Sequence, residues 1–128
     1  MASASEPRRG EVWLTAFGAA RPGELGKQRP AVVLSVDRMI AGMPYELIVV
    51  VPLSSSVPPS ALRPEIAGIE GIDRSSSAIC RAVRGVARSR LMHRLGELTP
   101  AKLVEVERTL ALILGLDGEN GGSPGPSR

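Results

Sequence analysis

The chain has 128 residues, 43% of them hydrophobic, and a net charge of +3, which makes one domain with its own core and leaves no room for two. Its single cysteine, Cys80, excludes an internal disulfide, and its longest apolar runs, 47–53 and 110–114, fall far short of the roughly 20 residues of a membrane span. With no apolar run among the first nine residues to act as a signal peptide, the chain reads as cytoplasmic. Residues 1–7 are small and polar, and a disordered head is expected there. From 10 to 17, Val12, Leu14 and Ala16 alternate with Glu11, Trp13, Thr15 and Phe17, which predicts a first strand with apolar residues on both faces. Residues 18–28 follow as a loop of about ten residues, long enough to act as a functional lid.

That loop ends in Glu24-Leu25-Gly26-Lys27-Gln28-Arg29-Pro30 and runs straight into the β-branched segment Ala31-Val32-Val33-Leu34-Ser35-Val36. Proline is tolerated at the start of a strand and pushes the residue before it into extended geometry. A second strand over 29–36 therefore opens on one arginine with a defined backbone, a planar fork suited to a phosphate group. Residues 37–41 predict a short helix capped by Asp37 and broken by Gly42 and Pro44. The stretch 47–53 is the most apolar of the chain and predicts a central strand buried on both faces, ending in Ser54-Ser55-Ser56.

Beyond a turn at Pro58-Pro59-Ser60, residues 62–66 predict a short edge strand and 68–76 a polar loop. Two more strands are expected at 77–83 and 86–95, with Arg84-Gly85 as the bend between them. Thr99-Pro100 opens a helix, with threonine as N-cap and proline at the first helical position. Its apolar stripe is Leu103, Val106, Leu110, Ile113 and Leu114, with Lys102, Glu105 and Arg108 on the wet side and Gly115 at the C-cap. Residues 117–128, rich in Gly, Pro and Ser, read as a disordered tail, so the folded part is 8–116. Consecutive short antiparallel strands followed by one helix make an α+β fold, a curled sheet or small barrel closed on one side by the helix.

The residue inventory narrows the chemistry. His93 and Cys80 are the only histidine and cysteine, and Asp37, Glu65, Glu70 and Asp73 show no ligand-like spacing, so no metal site and no cofactor is expected. His93 reads as a partly exposed strand residue and Cys80 as a small core residue. What remains is arginine and hydroxyl. Arg74, Arg81, Arg84, Arg88, Arg90 and Arg94 follow one another with no acidic residue between them. In a continuous strand Arg84, Arg88, Arg90 and Arg94 share parity and would line one face, a cationic stripe suited to an anion. Trp13, Phe17 and Tyr45 are too few for base stacking to dominate, so backbone phosphates are the expected contacts.

Arg9-Gly10-Glu11-Val12-Trp13, the 24–35 segment, Val49-Val50-Val51-Pro52-Leu53-Ser54-Ser55, and the ending from Leu91, Arg94, Leu95 and Gly96 through Leu114-Gly115-Leu116 resemble the MazF/PemK-like toxins of type II toxin–antitoxin systems. The resemblance covers nearly all of the folded part, in order and with matching spacing. It implies an SH3-like, PemK/CcdB-type curled antiparallel β-barrel with a C-terminal α-helix. It also implies a homodimer, an antitoxin protein partner, and a metal-independent endoribonuclease acting on single-stranded RNA to leave 2′,3′-cyclic phosphate and 5′-hydroxyl ends. Carried onto this chain, it makes Arg29 and Ser54 the catalytic pair, with serine where threonine is usual. Glu24, Lys27, Gln28, Ser55, Arg81, Arg84 and Arg88 form the expected RNA-binding set.

The chain departs from the family pattern at Arg81 and Ala82, where an acidic residue and a glutamine are frequent, and at Leu25, where a glutamine is frequent. These changes remove groups able to read base edges, so a cleavage specificity of its own is expected, with an RNA shape such as a tRNA or rRNA loop as target. Two other readings keep the fold: a CcdB-like toxin that binds DNA gyrase without chemistry, and a non-catalytic basic domain that would tolerate lysine at Arg29.

Overall fold

Three antiparallel strands carry the centre of the molecule: β1 (Glu11–Ala16), β2 (Gln28–Val33) and β3 (Ile48–Ser54). The computed structural model describes residues 6–18, 27–41, 46–69, 72 and 74–116. The expected tail and Met1 to Ser5 of the expected head lie outside these residues, as do Gly42 and Pro44. Packing starts before Arg8, because Pro7 is buried and Glu6 pairs with Arg88. Each strand is slightly shorter or shifted against its expected span; Leu47 lies outside β3 and is 61% exposed.

Alternation along these strands makes two faces. The register sets Val12 opposite Val32 and Val32 opposite Val51, which with Leu53 form one buried face. Trp13 opposite Ala31, together with Val33, Ile48 and Val50, forms the other. β3 is central as expected, although Val49 is exposed. On its outer side it is served by two short strands, β5 (Ser76–Ala78) at its end and β6 (Arg84–Val86) at its start. A 3₁₀ turn, Cys80–Ala82, steps between them. β4 (Glu65–Ile66) pairs with β5 at the sheet edge, and β7 (Leu91–Glu97) pairs with β1 through two register shifts that curl the sheet.

The two long strands expected over 77–95 are thus three shorter ones, β5, β6 and β7, with a second 3₁₀ turn at Arg88–Arg90 before the last. Arg84 and Gly85 lie inside β6 and are not a bend. Glycine is used there for close approach: a Cβ at Gly85 would stand 3.1 Å from the Leu47 side chain. The shared parity of Arg84, Arg88, Arg90 and Arg94 has no continuous strand to act on, so the expected stripe does not form.

α1 (Asp37–Ile40) is the expected short helix, but Val36 holds the cap position, and Asp37 instead accepts the Arg9 N–H at 2.8 Å. α2 (Pro100–Leu114) begins and ends as expected. Thr99 Oγ1 accepts the Lys102 N–H at 3.2 Å, a cap worth about 1 kcal/mol, and Gly115 closes the helix at φ 72°. Val106 is fully buried, and Leu103, Leu110 and Ile113 pack with it on the Val12 face. Leu114 does not join them and is 52% exposed. Cys80 is sealed beneath α2, and desolvation pushes its thiol up to about 11, so it is inert at neutral pH.

Glu11 fastens the N-terminal end of the sheet. Its carboxylate accepts from Trp13 Nε1 at 2.9 Å, the Arg8 N–H at 2.9 Å and Arg94 Nε at 2.8 Å. Burial alone would raise its pKa; the hydrogen bonds from Trp13, Arg94 and Arg8, with the Arg94 charge, outweigh burial and hold it below the ordinary carboxylate value. Arg94 also reaches Glu97 at 3.0 Å.

Candidate nucleic-acid interface and active site

The β2–β3 ladder pairs Ala31 with Pro52, Val32 with Val51 and Val33 with Val50. That pairing ends two residues short of Arg29 on β2 and of Ser54, the last residue of β3. On its other side Arg29 pairs with Thr15 of β1, and Ser54 pairs with Ser77 of β5. Directly opposed residues share a face, so Thr15 with Arg29 and Ser54 with Ser77 are two opposed pairs that alternation along β2 and β3 sets on one face as a polar row. It lies on the Trp13 and Ala31 face, away from α2. Thr15, Ser54 and Ser77 are buried, and the half-buried Arg29 is the long member of the row.

Ser54 is 2% exposed, and its Oγ accepts the Ser56 N–H at 3.1 Å, which leaves its hydroxyl hydrogen to donate. Ser77 Oγ donates to Val57 O at 2.6 Å, so the two hydroxyls pin both ends of the turn that carries the exposed Ser55. Lys27 and Gln28 are exposed at the start of β2. The Phe17 N–H donates to Lys27 O at 2.8 Å and the Lys27 N–H to Gly18 O at 2.5 Å, which closes the neck of the loop between β1 and β2. Lys27 takes φ 63°, the left-handed region that non-glycine residues rarely enter. Glu24, and the lid expected over most of 18–28, lie outside the described residues.

The arginines expected to bind RNA part company. Arg84 pairs with Val50 and so rises on the Arg29 face, its Cζ 5.3 Å from the Phe17 ring centroid. Arg88 stands over the Trp13 ring at 5.8 Å and pairs with Glu6 at 3.2 Å. Arg81 lies elsewhere: it lines a hollow with Leu62, Leu112 and Ile113 on the α2 side. Arg90 donates to Ala16 O at 3.2 Å. Carboxylates absent from the 74–94 segment arrive from Glu6 and Glu11, so two of the six arginines are paired after all. His93 is exposed on β7. Among the described residues no three His, Cys, Asp or Glu side chains cluster as metal ligands, and no helix is long and apolar enough to cross a membrane.

Sequence reasoning missed Thr15 and the use of Trp13 and Phe17 as platforms for guanidinium groups. The signal was there in the alternation of β1, which puts Trp13, Thr15 and Phe17 on one face.

Residues 8–114 match the family model of PemK-like, MazF-like toxins of type II toxin–antitoxin systems. The chain is similar to Endoribonuclease MazF9 of Mycobacterium tuberculosis, 34% identical over 116 residues covering 85% of this chain and 97% of that protein. It is also similar to the Probable endoribonuclease MazF of Mycolicibacterium smegmatis, at 31% identity covering 87% and 99%. Among solved structures, MazF from Deinococcus radiodurans superposes with a TM-score of 0.76 at 25% identity, covering 88% of this chain and 99% of that one. A mycobacterial endoribonuclease in complex with its cognate antitoxin superposes with a TM-score of 0.70 at 20% identity, covering 86% and 96%, a likeness of fold.

Proposed function

The chain belongs to the PemK-like, MazF-like toxins of type II toxin–antitoxin systems, and from that premise we propose that it is a metal-independent endoribonuclease cutting single-stranded RNA. The observation that carries this reading is the β2–β3 register, which with strand alternation puts Arg29, from the start of β2, and Ser54, from the end of β3, on one face. A sequence without a cluster of metal ligands leaves two sources of rate. One is alignment of the RNA 2′-OH with the phosphorus, and the other is stabilisation of charge on the pentacoordinate phosphorane.

Arg29 supplies the second. A guanidinium does not give up its proton in proteins, so this side chain acts as a charge stabiliser for the phosphorane and not as the base. Ser54 donates its hydroxyl hydrogen to a non-bridging oxygen or to the leaving 5′ oxygen. The 2′ oxygen bonds to phosphorus as the bond to the 5′ oxygen breaks, which leaves a 2′,3′-cyclic phosphate and a 5′-hydroxyl. Lys27, Gln28, Ser55, Arg84 and Arg88 contact the RNA around this row; Glu24 belongs to the same set, and Arg81, on the α2 side, is its outlying described member.

The partners in this reading are the RNA, a cognate antitoxin protein, and a second copy of the chain in a cytoplasmic homodimer. Val104, Leu112, Leu114 and Leu116 are exposed along α2 and beyond it, apolar surface that self-association would cover. The relatives named above are endoribonucleases, so the gyrase-binding alternative is not favoured.

Purified protein incubated with a long in vitro transcript in EDTA is expected to make discrete cuts bearing 5′-hydroxyl ends. Intact RNA from a protein that still arrests cell growth would overturn the nuclease reading. Ser54→Ala is expected to slow cleavage about 10²-fold, the usual loss for one oxyanion donor, with RNA affinity retained. Equal cleavage rates for Ser54→Ala and the native chain would return Ser54 to a turn residue.

A further inference from the structure

Of the two arginines stacked on described aromatic rings, Arg84 on Phe17 and Arg88 on Trp13, Arg88 is also ion-paired with Glu6. The described ion pairs are Arg9 with Glu107, Arg88 with Glu6, Arg94 with Glu11 and Glu97, and Lys102 with Glu105; Arg84 is in none of them. Its guanidinium lies instead over the ring of Phe17, 5.3 Å from the centroid, while the side chain is exposed. A cation held on an aromatic face keeps its N–H donors at the edge of the fork available to an anion.

Phe17 also fixes where that cation is. Its N–H bonds to Lys27 O, which continues the β1–β2 ladder two pairs beyond Thr15 and Arg29. Phe17 is therefore the diagonal neighbour of Arg29 on the shared face, about 7–8 Å away. The ring is 6% exposed, packed with Trp13, Val33 and Val50, so it is an immobile platform. Arg84 reaches it from β6, on the far side of β3, and so crosses the face toward Arg29.

We propose that Arg84, seated on Phe17, is a second ligand of the scissile phosphate, sharing its non-bridging oxygens with Arg29, and that Phe17 is a positioning residue acting through Arg84. The inference rests on the nuclease reading above. It assigns Arg84 to the reacting phosphate and not to the flanking backbone, so Arg84 acts on the chemical step. The bonds made and broken are unchanged: the 2′ oxygen displaces the 5′ oxygen at phosphorus, and Arg84 lowers the cost of the charge that gathers on the equatorial oxygens.

The test is single-turnover cleavage of a long in vitro transcript at saturating protein. Arg84→Ala and Arg84→Lys are both expected to lower the saturated rate about 10²-fold while the half-saturating protein concentration changes less than threefold. Lysine fails because it lacks the fork. Phe17→Leu is expected to lower the same rate about tenfold, with rescue by Phe17→Tyr, which keeps the ring. The double variant Phe17→Leu/Arg84→Ala should be no slower than Arg84→Ala alone, because Phe17 acts only through Arg84. A purely structural Phe17 would show multiplied losses in the double variant.

An Arg84→Ala chain that cuts at the native saturated rate but needs more protein would place Arg84 on the flanking backbone and overturn the proposal. Multiplied losses in the double variant would overturn the role of Phe17. Should Phe17→Leu not fold, the two Arg84 variants still decide the assignment, since Arg84 is exposed. A native protein that cuts nothing fails the nuclease reading itself, an outcome distinct from these.

Discussion

Replacing Arg29 with alanine should reduce RNA cleavage by about 10³-fold or more with the fold intact. The side chain is half-buried at the start of β2, and the backbone of residue 29 keeps its pairing with Thr15 whatever side chain it carries. The loss should therefore appear in the cleavage rate. Arg29→Lys separates the readings further. A domain that merely binds phosphate needs only the charge, and lysine would serve it. Stabilising a phosphorane uses two donors in a fixed plane, which lysine lacks, so Arg29→Lys should lose nearly as much as alanine. The measurement is cleavage in EDTA with mapping of the 5′ ends. Native-like cutting by Arg29→Lys would show that the fork is not required.

Glu11→Ala should cost about 3–5 kcal/mol, a large part of the 5–15 kcal/mol that hold a domain of this kind. Its carboxylate, 11% exposed at the side chain, receives the Trp13 indole, the Arg8 N–H and Arg94. Alanine would leave the buried Trp13 indole N–H and the part-buried Arg8 N–H without this acceptor. Arg94 is 42% exposed, so water recovers part of its share and the lower end of the range is expected from that pair. Because the folded pKa of Glu11 lies below its ordinary value of 4.5, its contribution is fully present above that pH. It is lost as pH falls through the depressed folded pKa. Urea unfolding at neutral and acid pH checks both points: the gap between Glu11→Ala and the native chain should narrow as pH drops below 4.5. A gap independent of pH would mean that packing and not the charge is responsible.

These two residues also show where sequence reading succeeds and where it stops. Arg29 was legible because proline at position 30 and the β-branched run behind it restrict the backbone locally, whatever the rest of the chain does. The same holds for α2, where Thr99, Pro100, the apolar spacing and Gly115 are all short-range signals, and for β3, whose length and composition admit little else. Ser54 was visible only as the end of an apolar strand; on residues alone it was a turn serine, and the family resemblance selected it.

Glu11 was invisible as a hub. Its partner Arg94 stands 83 positions along the chain, and nothing local marks a glutamate in an alternating strand as an anchor. The arginine run from Arg74 to Arg94 failed for a related reason. Parity predicts a shared face only if the strand is continuous, and the need to serve both halves of β3 broke it into β5, a turn, β6, a second turn and β7. Once broken, its members went to Phe17, Trp13, Glu6, Ala16 O and Glu11.

Local rules of turn, cap and alternation, acting over a few residues, determined from the sequence alone the strands that bear the site, the closing helix and the arginine at the start of β2. The tertiary structure alone decided which residues stand opposite one another, because register and pairing are set by the joint burial of two sheet faces across the whole chain. That is why Arg29, Ser54 and Thr15 share one face, and why Arg84 comes to rest on Phe17.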